Sequence, residues 1–329
     1  MKAVICTRYG PPDVLRLQDV VRPEPSDDDV LVRVIAASIN ARDTRFMRGE
    51  PVFMRLRPGG LLRPSNPILG VDLAGRVETV GRSVTRFQRG DAVFGYVPSA
   101  LGRGTFAEVV NVPADLLAHK PGRLTFEQAA AVPLAAMTAL QALRDAGHLQ
   151  LGHRTLIYGA TGGVGSYAVQ IARALGAVVT AACSVANADY ARTLGAEVVL
   201  DYRRDVLVPG GERYDVIMAV NGYRPIGEYL RALAPGGRYV VAGGSMRQLF
   251  EAVIWSRWAS RAGNRQTYVA SLAPNPADLT VLKAFLETGQ LIPVIDRCYP
   301  LCAAADAFRY LERNHARGKV VLVAPPDGL

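Results

Sequence analysis

The chain has 329 residues, of which half are hydrophobic and a fifth are charged, and its net charge is +9. This length predicts two domains, and the composition excludes an intrinsically disordered protein. Lysines and arginines are scattered singly, without a basic run interleaved with aromatic residues. We therefore expect a solvated basic surface and no nucleic-acid partner. Such a surface favours anionic small-molecule ligands.

The cysteines and the longest uncharged stretch exclude further classes of protein. The cysteines form no Cys-x-x-Cys pair and no cluster with histidine, so we expect neither a zinc site nor a disulfide framework. A reducing cytoplasm is the expected location. The stretch from Gln128 to Leu143 is short for a membrane span, and the first residues are not typical of a secretory signal, so we expect a soluble protein. The four cysteines are Cys6, Cys183, Cys298 and Cys302.

Strands are predicted for the first third of the chain. The apolar, largely β-branched runs at Asp29–Ala36, Val71–Val80 and Asp91–Tyr96 are typical of strands, and the last two are bounded by glycines. Glycine and proline are dense between Pro51 and Pro67, which predicts a covering loop.

Short apolar strands and helical segments alternate after Pro121. Phe126–Leu143 has helical spacing and is predicted to be a helix. Because alternating strands and helices form parallel βαβ crossovers, the pattern predicts an α/β fold with a doubly wound parallel sheet. The predicted strands are Thr155–Tyr158, Val178–Cys183, Glu197–Leu200, Asp215–Val220, Arg238–Val241 and Lys319–Val323; the predicted helices are Val164–Leu175, Ala188–Leu194, Ile226–Leu233, Ala277–Leu286 and Cys302–Glu312.

The strongest functional signal is a glycine-rich turn that follows a predicted strand and opens a predicted helix. In this context glycines let the backbone approach a pyrophosphate, and free N–H groups at the helix start face that anion. An alanine stands where the first glycine of G-x-G-x-x-G would fall, and outside a βαβ array such a sequence is an ordinary turn. The predicted cofactor-binding residues are Gly159, Ala160, Thr161, Gly162, Gly163, Val164 and Gly165.

The end of the second strand of this array predicts which cofactor binds. Enzymes that use NAD place an acidic residue there, for the 2′-hydroxyl of the ribose, whereas this chain has none between Cys183 and Asn187. The hydroxyl of Ser184 suits a 2′-phosphate instead, with Tyr202 and Arg192 as further neighbours. We therefore predict NADP. Arg192 has no evident carboxylate partner and is alternatively a solvated cation.

Further residues are predicted to complete the cofactor site. Ligands of open parallel sheets gather at the carboxyl ends of the strands, where Asn221, Gly243 and Ser245 lie. Asn221 alternatively holds a turn. Lys319 is predicted to reach a cofactor phosphate or, alternatively, to face solvent at the start of the last strand.

An ordered set of segments resembles landmarks of the medium-chain dehydrogenase/reductase superfamily. Asn40–Asp43 resembles the N-x-x-D of its zinc-free quinone oxidoreductase branch, the zeta-crystallin-like enzymes. Gly70–Gly81 resembles the superfamily's G-x-D/E-x-x-G-x-V-x-x-V-G stretch, and the resemblance spans nearly the whole chain. The other matching segments are Gly104–Glu108, Leu134–Ala139, Pro235–Arg238 and His315–Leu322.

The resemblance implies two domains and a homodimer. Residues 1–122 and 275–329 would form a GroES-like, mostly β domain for the substrate, and residues 123–274 a Rossmann domain for NADP. Substrate and nicotinamide would meet between the domains. Zinc-containing members carry Gly-His-Glu where this chain has Gly70–Asp72. Because Val71 cannot bind a metal, no metal is expected.

The resemblance also implies a reaction. Without zinc, hydride transfer from NADPH favours quinones or α,β-unsaturated carbonyl compounds, whose conjugation spreads the incoming charge onto oxygen. Asn40 and Thr138 are implied to polarise the substrate near the nicotinamide. Arg45 is predicted to stabilise an enolate or, alternatively, to be a surface cation. Asp43 is predicted to order its loop rather than to act as a base.

Two other functions remain open. One is an enoyl-thioester reductase, whose basic surface would attract an acidic carrier or coenzyme A. The other is a catalytically weak NADPH-binding sensor or partner protein. Some quinone reductases carry tyrosines shortly after N-x-x-D, where this chain has Arg45 and Phe46, and this difference favours the last alternative.

Overall fold

The computed structural model describes residues 1–56, 60–208, 211–221, 224–244, 248, 251–252, 265–270, 272–313 and 316–325. Contacts divide the chain into two compact units. The first unit comprises Met1–Leu134, Pro274–Glu287 and Pro293–Leu329, and the second comprises Ala135–Ala273 and Thr288–Ile292. The sequence predicts a boundary between residues 122 and 123, whereas the first unit extends to Leu134.

The strands of both units agree with most of the apolar runs in the sequence. Five short strands are not predicted from the sequence: Leu15–Asp19, Val109–Pro113, Leu117–His119, Gln266–Val269 and Ile295–Pro300. The strands are β1 (Lys2–Cys6), β2 (Leu15–Asp19), β3 (Asp29–Ile39), β4 (Asp72–Val80), β5 (Ala92–Tyr96), β6 (Val109–Pro113), β7 (Leu117–His119), β8 (Arg154–Tyr158), β9 (Val178–Cys183), β10 (Val198–Asp201), β11 (Tyr214–Val220), β12 (Leu233–Ala242), β13 (Gln266–Val269), β14 (Ile295–Pro300) and β15 (Lys319–Val323).

One predicted helix is interrupted in the structure. The segment from Phe126 to Leu143 forms two helices and a π-helical turn at Ala142–Ala146, because Pro133 has no N–H to donate and therefore starts a new helix. The α-helices of the described residues are α1 (Ala41–Arg48), α2 (Phe126–Ala130), α3 (Pro133–Gln141), α4 (Gly163–Ala174), α5 (Ala188–Thr193), α6 (Ile226–Ala232), α7 (Pro276–Thr288) and α8 (Ala304–Arg313).

The first unit contains a seven-stranded sheet. Its strand order is β14-β15-β3-β4-β5-β7, with β6 also paired to β3, and β1 and β2 form a separate antiparallel pair. All pairs of the large sheet are antiparallel except β14 with β15. The last strand of the chain, β15, therefore lies inside the sheet, where Val321 pairs with Ser38 of β3.

The second unit contains a six-stranded sheet in which every pair is parallel. Its order is β10-β9-β8-β11-β12-β13, so the first strand of the unit is central and the chain winds outward in both directions. Strands of this kind are covered on both faces and read as continuous apolar runs, as in β11, where Val216 to Val220 are all buried. The predicted Rossmann-type sheet is confirmed.

Aromatic rings close the core of the first unit. Phe308 of α8 and Phe106 are fully buried, and their rings meet edge to face with centroids 6.0 Å apart.

None of the helices in the described residues has the length and apolar character that a membrane span requires.

Replacement of Phe308 tests how far the C-terminal helix contributes to the first unit. Because the ring is fully buried, Phe308→Ala is expected to lower the free energy of unfolding by about 3 to 5 kcal/mol, and Phe308→Leu by less. Urea denaturation measures both. Val21→Ala is the control, since Val21 is 93% exposed. Equal stability of Phe308→Ala and the control would show that α8 is not part of the cooperative core.

Candidate active site

The glycine-rich turn has a shape that only glycine permits at two positions. Gly159 follows β8 with φ +78°, and a Cβ there would lie 2.2 Å from the carbonyl oxygen of Val220. A Cβ on Gly165 would lie 2.1 Å from the carbonyl oxygen of Gly159. The turn is therefore packed against the end of β11, and the first turn of α4 is packed against the turn.

The start of α4 offers backbone donors to a ligand. Gly162 is the N-cap, with extended backbone angles and no side-chain cap. The first turn of a helix leaves N–H groups without intrahelical partners, and the helix dipole makes this end positive. The amides of residues 163–165 are therefore suited to an anion such as a pyrophosphate. The predicted residue Ala160 is fully buried, and its N–H donates to Ala182 (3.2 Å).

A side-chain contact connects the glycine turn to the end of β9. The Nδ2 group of Asn187 donates to Oγ1 of Thr161 (3.2 Å), and the N–H of Asn187 donates to the carbonyl of Ser184 (2.8 Å). Ser184 is half-buried and caps a short 3-10 helix. The sequence pattern did not identify Asn187, because the contact joins two separate loops.

Tyr202 and Arg192 lie near the same strand end. The N–H of Tyr202 donates to the carbonyl of Cys183 (3.1 Å), which brings Tyr202 beside the end of β9. Arg192 forms an ion pair with Asp189 (2.8 Å), so the interpretation that Arg192 lacks a carboxylate partner is wrong. The pair lies one helical turn apart on α5 and is largely exposed.

The ends of β11 and β12 meet as predicted from the sheet topology. Asn221 adopts a left-handed conformation (φ 51°), as its interpretation as a turn residue predicts. A Cβ on Gly243 would lie 3.8 Å from Oδ1 of Asn221, so the two residues are neighbours. The predicted residue Ser245 lies outside the described residues.

A buried charged network occupies the first unit. Lys319 of β15 is 4% exposed, and its ammonium group donates to Oδ1 of Asn40 and lies 3.6 Å from Oδ2 of Asp72. Asp72 is fully buried, accepts the hydroxyl of Ser38 (2.8 Å) and accepts the N–H of Leu134 (2.8 Å). Burial lowers the pKa of Lys319, and the carboxylate of Asp72 opposes this shift.

This network changes the roles predicted for Asn40 and Lys319. The Nδ2 group of Asn40 donates to Asp72 (2.9 Å) and to the carbonyl of Ser38 (3.3 Å), so both of its hydrogens are used within the protein. The geometry therefore gives Asn40 no free donor for a substrate oxygen. The interpretation of Lys319 as solvent-facing is wrong, because the residue is buried and its ammonium group donates to Asn40. Its contact with a cofactor phosphate stays a prediction.

Asp43 orders the start of α1, as the sequence predicts. Its carboxylate accepts the N–H of Asn40 (2.8 Å) and is 2% exposed. Burial raises the pKa of Asp43 to about 6, the Asn40 N–H lowers it, and the negative charge of Asp72 raises it further.

The two remaining predicted catalytic residues belong to different units. Arg45 lies on α1 in the first unit and is half-buried, so it is not a fully solvated cation. Thr138 lies on α3 in the second unit and is also half-buried. A cavity in the first unit is lined instead by Arg42, one residue before Asp43. The position of Arg42 was not predicted, because it depends on loops that are distant in sequence.

Two family models match the chain. The model described as alcohol dehydrogenase GroES-like domain matches residues 26–122. The model described as zinc-binding dehydrogenase matches residues 194–322. Within the described part of the chain, however, no group of three or more His, Cys, Asp or Glu residues could hold a metal ion.

The similarity to curated proteins extends over nearly the whole chain. The chain is 32% identical over 340 residues to an Arabidopsis thaliana protein named NADPH-dependent alkenal/one oxidoreductase, chloroplastic, covering 99% of this chain and 80% of that protein. The chain belongs to the medium-chain dehydrogenase/reductase superfamily. It is also 33% identical over 336 residues to the quinone oxidoreductase of Sus scrofa, covering 98% of each. The structure of the quinone oxidoreductase from Coxiella burnetii matches with a TM-score of 0.86 at 29% identity, covering 99% of each chain.

The buried carboxyl of Asp43 predicts a pH-dependent difference in stability. Its pKa is raised from 3.8 to about 6 on folding, so it contributes stability that is complete below pH 4 and is lost as the pH rises through 6. Relative to Asp43→Asn, the wild-type free energy of unfolding is expected to fall by about 1 to 3 kcal/mol between pH 5 and pH 8.

Chemical denaturation at each pH measures this difference. Asp115→Asn is the control, because Asp115 is an exposed carboxylate of the same unit. A stability difference between Asp43→Asn and wild type that is constant across this pH range would contradict the raised pKa.

Proposed function

We propose that the protein is an NADPH-dependent reductase that transfers hydride to a quinone or an α,β-unsaturated carbonyl compound without a metal. The observation that carries this proposal is the glycine turn at the start of α4, after the central strand of a fully parallel sheet. An amide-rich helix start at this point of an open sheet is the usual place for a dinucleotide pyrophosphate.

The residues of the second unit fit this nucleotide. Gly159 and Gly165 pack against backbone carbonyls with no room for a Cβ. The helix that starts there can therefore present the amides of residues 163–165 to a phosphate. Ser184 and Tyr202 would hold the 2′-phosphate, where a carboxylate would repel it. Asn221 and Gly243 would flank the ribose and nicotinamide. When bound, NADPH supplies the hydride, and it leaves as NADP⁺.

The acceptor class follows from similarity and from chemistry. The relatives named above are an alkenal/one oxidoreductase and a quinone oxidoreductase. An α,β-unsaturated carbonyl compound takes the hydride at its β-carbon, the charge passes to oxygen as an enolate, and water supplies the proton at the α-carbon. A quinone takes the hydride and one proton and becomes a hydroquinone. Such a reaction needs few donors and no Lewis acid.

Individual residue roles are part of the proposal. Thr138 would donate to the developing oxyanion, and Arg45 would stabilise the enolate by its charge. Asn40 would act as a positioning residue, since its amide is held by Lys319 and Asp72. Asp43 would hold α1 in register with this network.

We also propose a homodimer in a reducing compartment. Cys6 and Cys183 are buried free thiols, and burial raises the pKa of each to about 11, which keeps them in the unreactive thiol form. Sedimentation of the purified protein tests the dimer.

A panel of acceptors tests the function. NADPH oxidation is followed at its absorbance maximum with quinones, enones, enals and enoyl thioesters, and NADPH affinity is measured separately by titration. Turnover of quinones or enones is the expected result. Preference for enoyl thioesters would favour an enoyl-thioester reductase. NADPH binding without turnover of any acceptor would favour a sensor or partner protein, and absence of binding would contradict the whole proposal.

Replacement of Ser184 tests the choice of nucleotide. Ser184→Asp places a carboxylate where the 2′-phosphate would lie, so it is expected to weaken NADPH binding ~10- to 100-fold more than NADH binding. Fluorescence titration measures both affinities. Ser83→Asp adds the same charge at an exposed position and serves as the control. Equal losses for the two nucleotides would contradict the assignment of Ser184.

A further inference from the structure

A surface cavity in the first unit has an arginine in its wall and is open to solvent. Arg42, Asp43 and Phe46 of α1 line it together with Val71 and Ser99. The wall therefore combines a cation and the carboxyl group of Asp43 with apolar and hydroxyl side chains.

Neutral groups hold the guanidinium of Arg42 in place. It donates to Oη of Tyr96 (2.7 Å) and to Oγ of Ser99, and it lies 5.0 Å from the centroid of the Phe46 ring. Two of its five N–H donors are used by these hydrogen bonds. In the described ranges no carboxylate lies within ion-pair distance of Arg42. These neutral contacts orient the side chain, and no counter-ion of the described residues pairs with its positive charge.

Among Lys319, Asp72, Asp43 and Arg42, the guanidinium of Arg42 is the charged group most accessible to a ligand. Lys319 and Asp72 form an ion pair with each other at 3.6 Å. Asp43 acts on Arg42 through its field, but its carboxylate is 2% exposed and accepts the backbone N–H of Asn40. A ligand in the cavity therefore meets the half-buried guanidinium of Arg42 rather than these enclosed groups.

We propose that this cavity binds an anionic oxygen group of the acceptor, a carboxylate or a phosphate, and that Arg42 determines this specificity. The proposal rests on the proposed function, because it names the substrate class of the same reductase. A guanidinium binds planar or tetrahedral oxyanions by paired hydrogen bonds. Phe46 and Val71 provide apolar contacts for the conjugated carbon skeleton. The preferred acceptors are conjugated carbonyl compounds that carry a negative charge.

Two matched pairs of acceptors test this specificity and separate the two sources of the anion. The first pair is 4-oxopent-2-enoate and its methyl ester, which differ by a carboxylate charge. The second is crotonyl-coenzyme A and crotonyl-pantetheine, which differ by the phosphorylated nucleotide of coenzyme A. For each pair the ratio of kcat/KM, charged over neutral, is measured in wild type and in Arg42→Gln.

The ratio of one pair is expected to fall ~10- to 100-fold in Arg42→Gln. A fall for the first pair identifies a carboxylate, and a fall for the second identifies a phosphate. Arg42→Lys keeps the charge and is expected to retain part of the preference. Arg82→Gln is the charge-matched control, since Arg82 is largely exposed and pairs with Asp27 elsewhere in the first unit.

The two pairs of acceptors give different results if Arg42 has no role and if the protein is not a reductase. Unchanged ratios for both pairs in Arg42→Gln, with the neutral acceptors still reduced, would overturn the role of Arg42 and leave the reductase function intact. No reduction of any of the four acceptors by wild type would overturn both. Far-UV circular dichroism and NADPH affinity of Arg42→Gln establish that the variant is folded.

Discussion

The first unit depends on the burial of one ammonium group. A buried charge is costly unless it is paired and hydrogen-bonded, and Lys319 meets this requirement through Asn40 and Asp72. These three residues come from β15, the start of α1 and the start of β4. The same interaction therefore fixes the last strand, the helix that lines the cavity and the strand after it. Removal of any one partner leaves another polar group unsatisfied.

The second unit is constrained by space rather than by charge. Gly159 and Gly165 let the turn, the end of β11 and the start of α4 approach within distances that exclude a Cβ. This close packing directs the free amides of the helix start outward. The contact between Asn187 and Thr161 then joins the end of the second strand to the same turn.

The sequence predicted what depends on local pattern. The parallel sheet and the glycine turn were identified because apolar runs, helical spacing and glycine positions are short-range signals. The burial of Lys319 was missed because its partner Asn40 is 279 residues away in the chain. Arg42 was overlooked in favour of Arg45 because the choice between residues of one short helix depends on Tyr96 and Ser99, which come from another part of the first unit.

The position of β15 has a consequence for synthesis on the ribosome. This strand lies between β14 and β3, so residues 36–39 of β3 lack a neighbour on one side until residue 323 has been made. The six strands of the second unit, in contrast, lie in the continuous segment between Ala135 and Ala273 and can pair earlier. The N-terminal segment therefore has an unpaired sheet edge while the middle of the chain folds. An unpaired edge can pair with another chain, so this is the surface that nascent-chain chaperones need to cover.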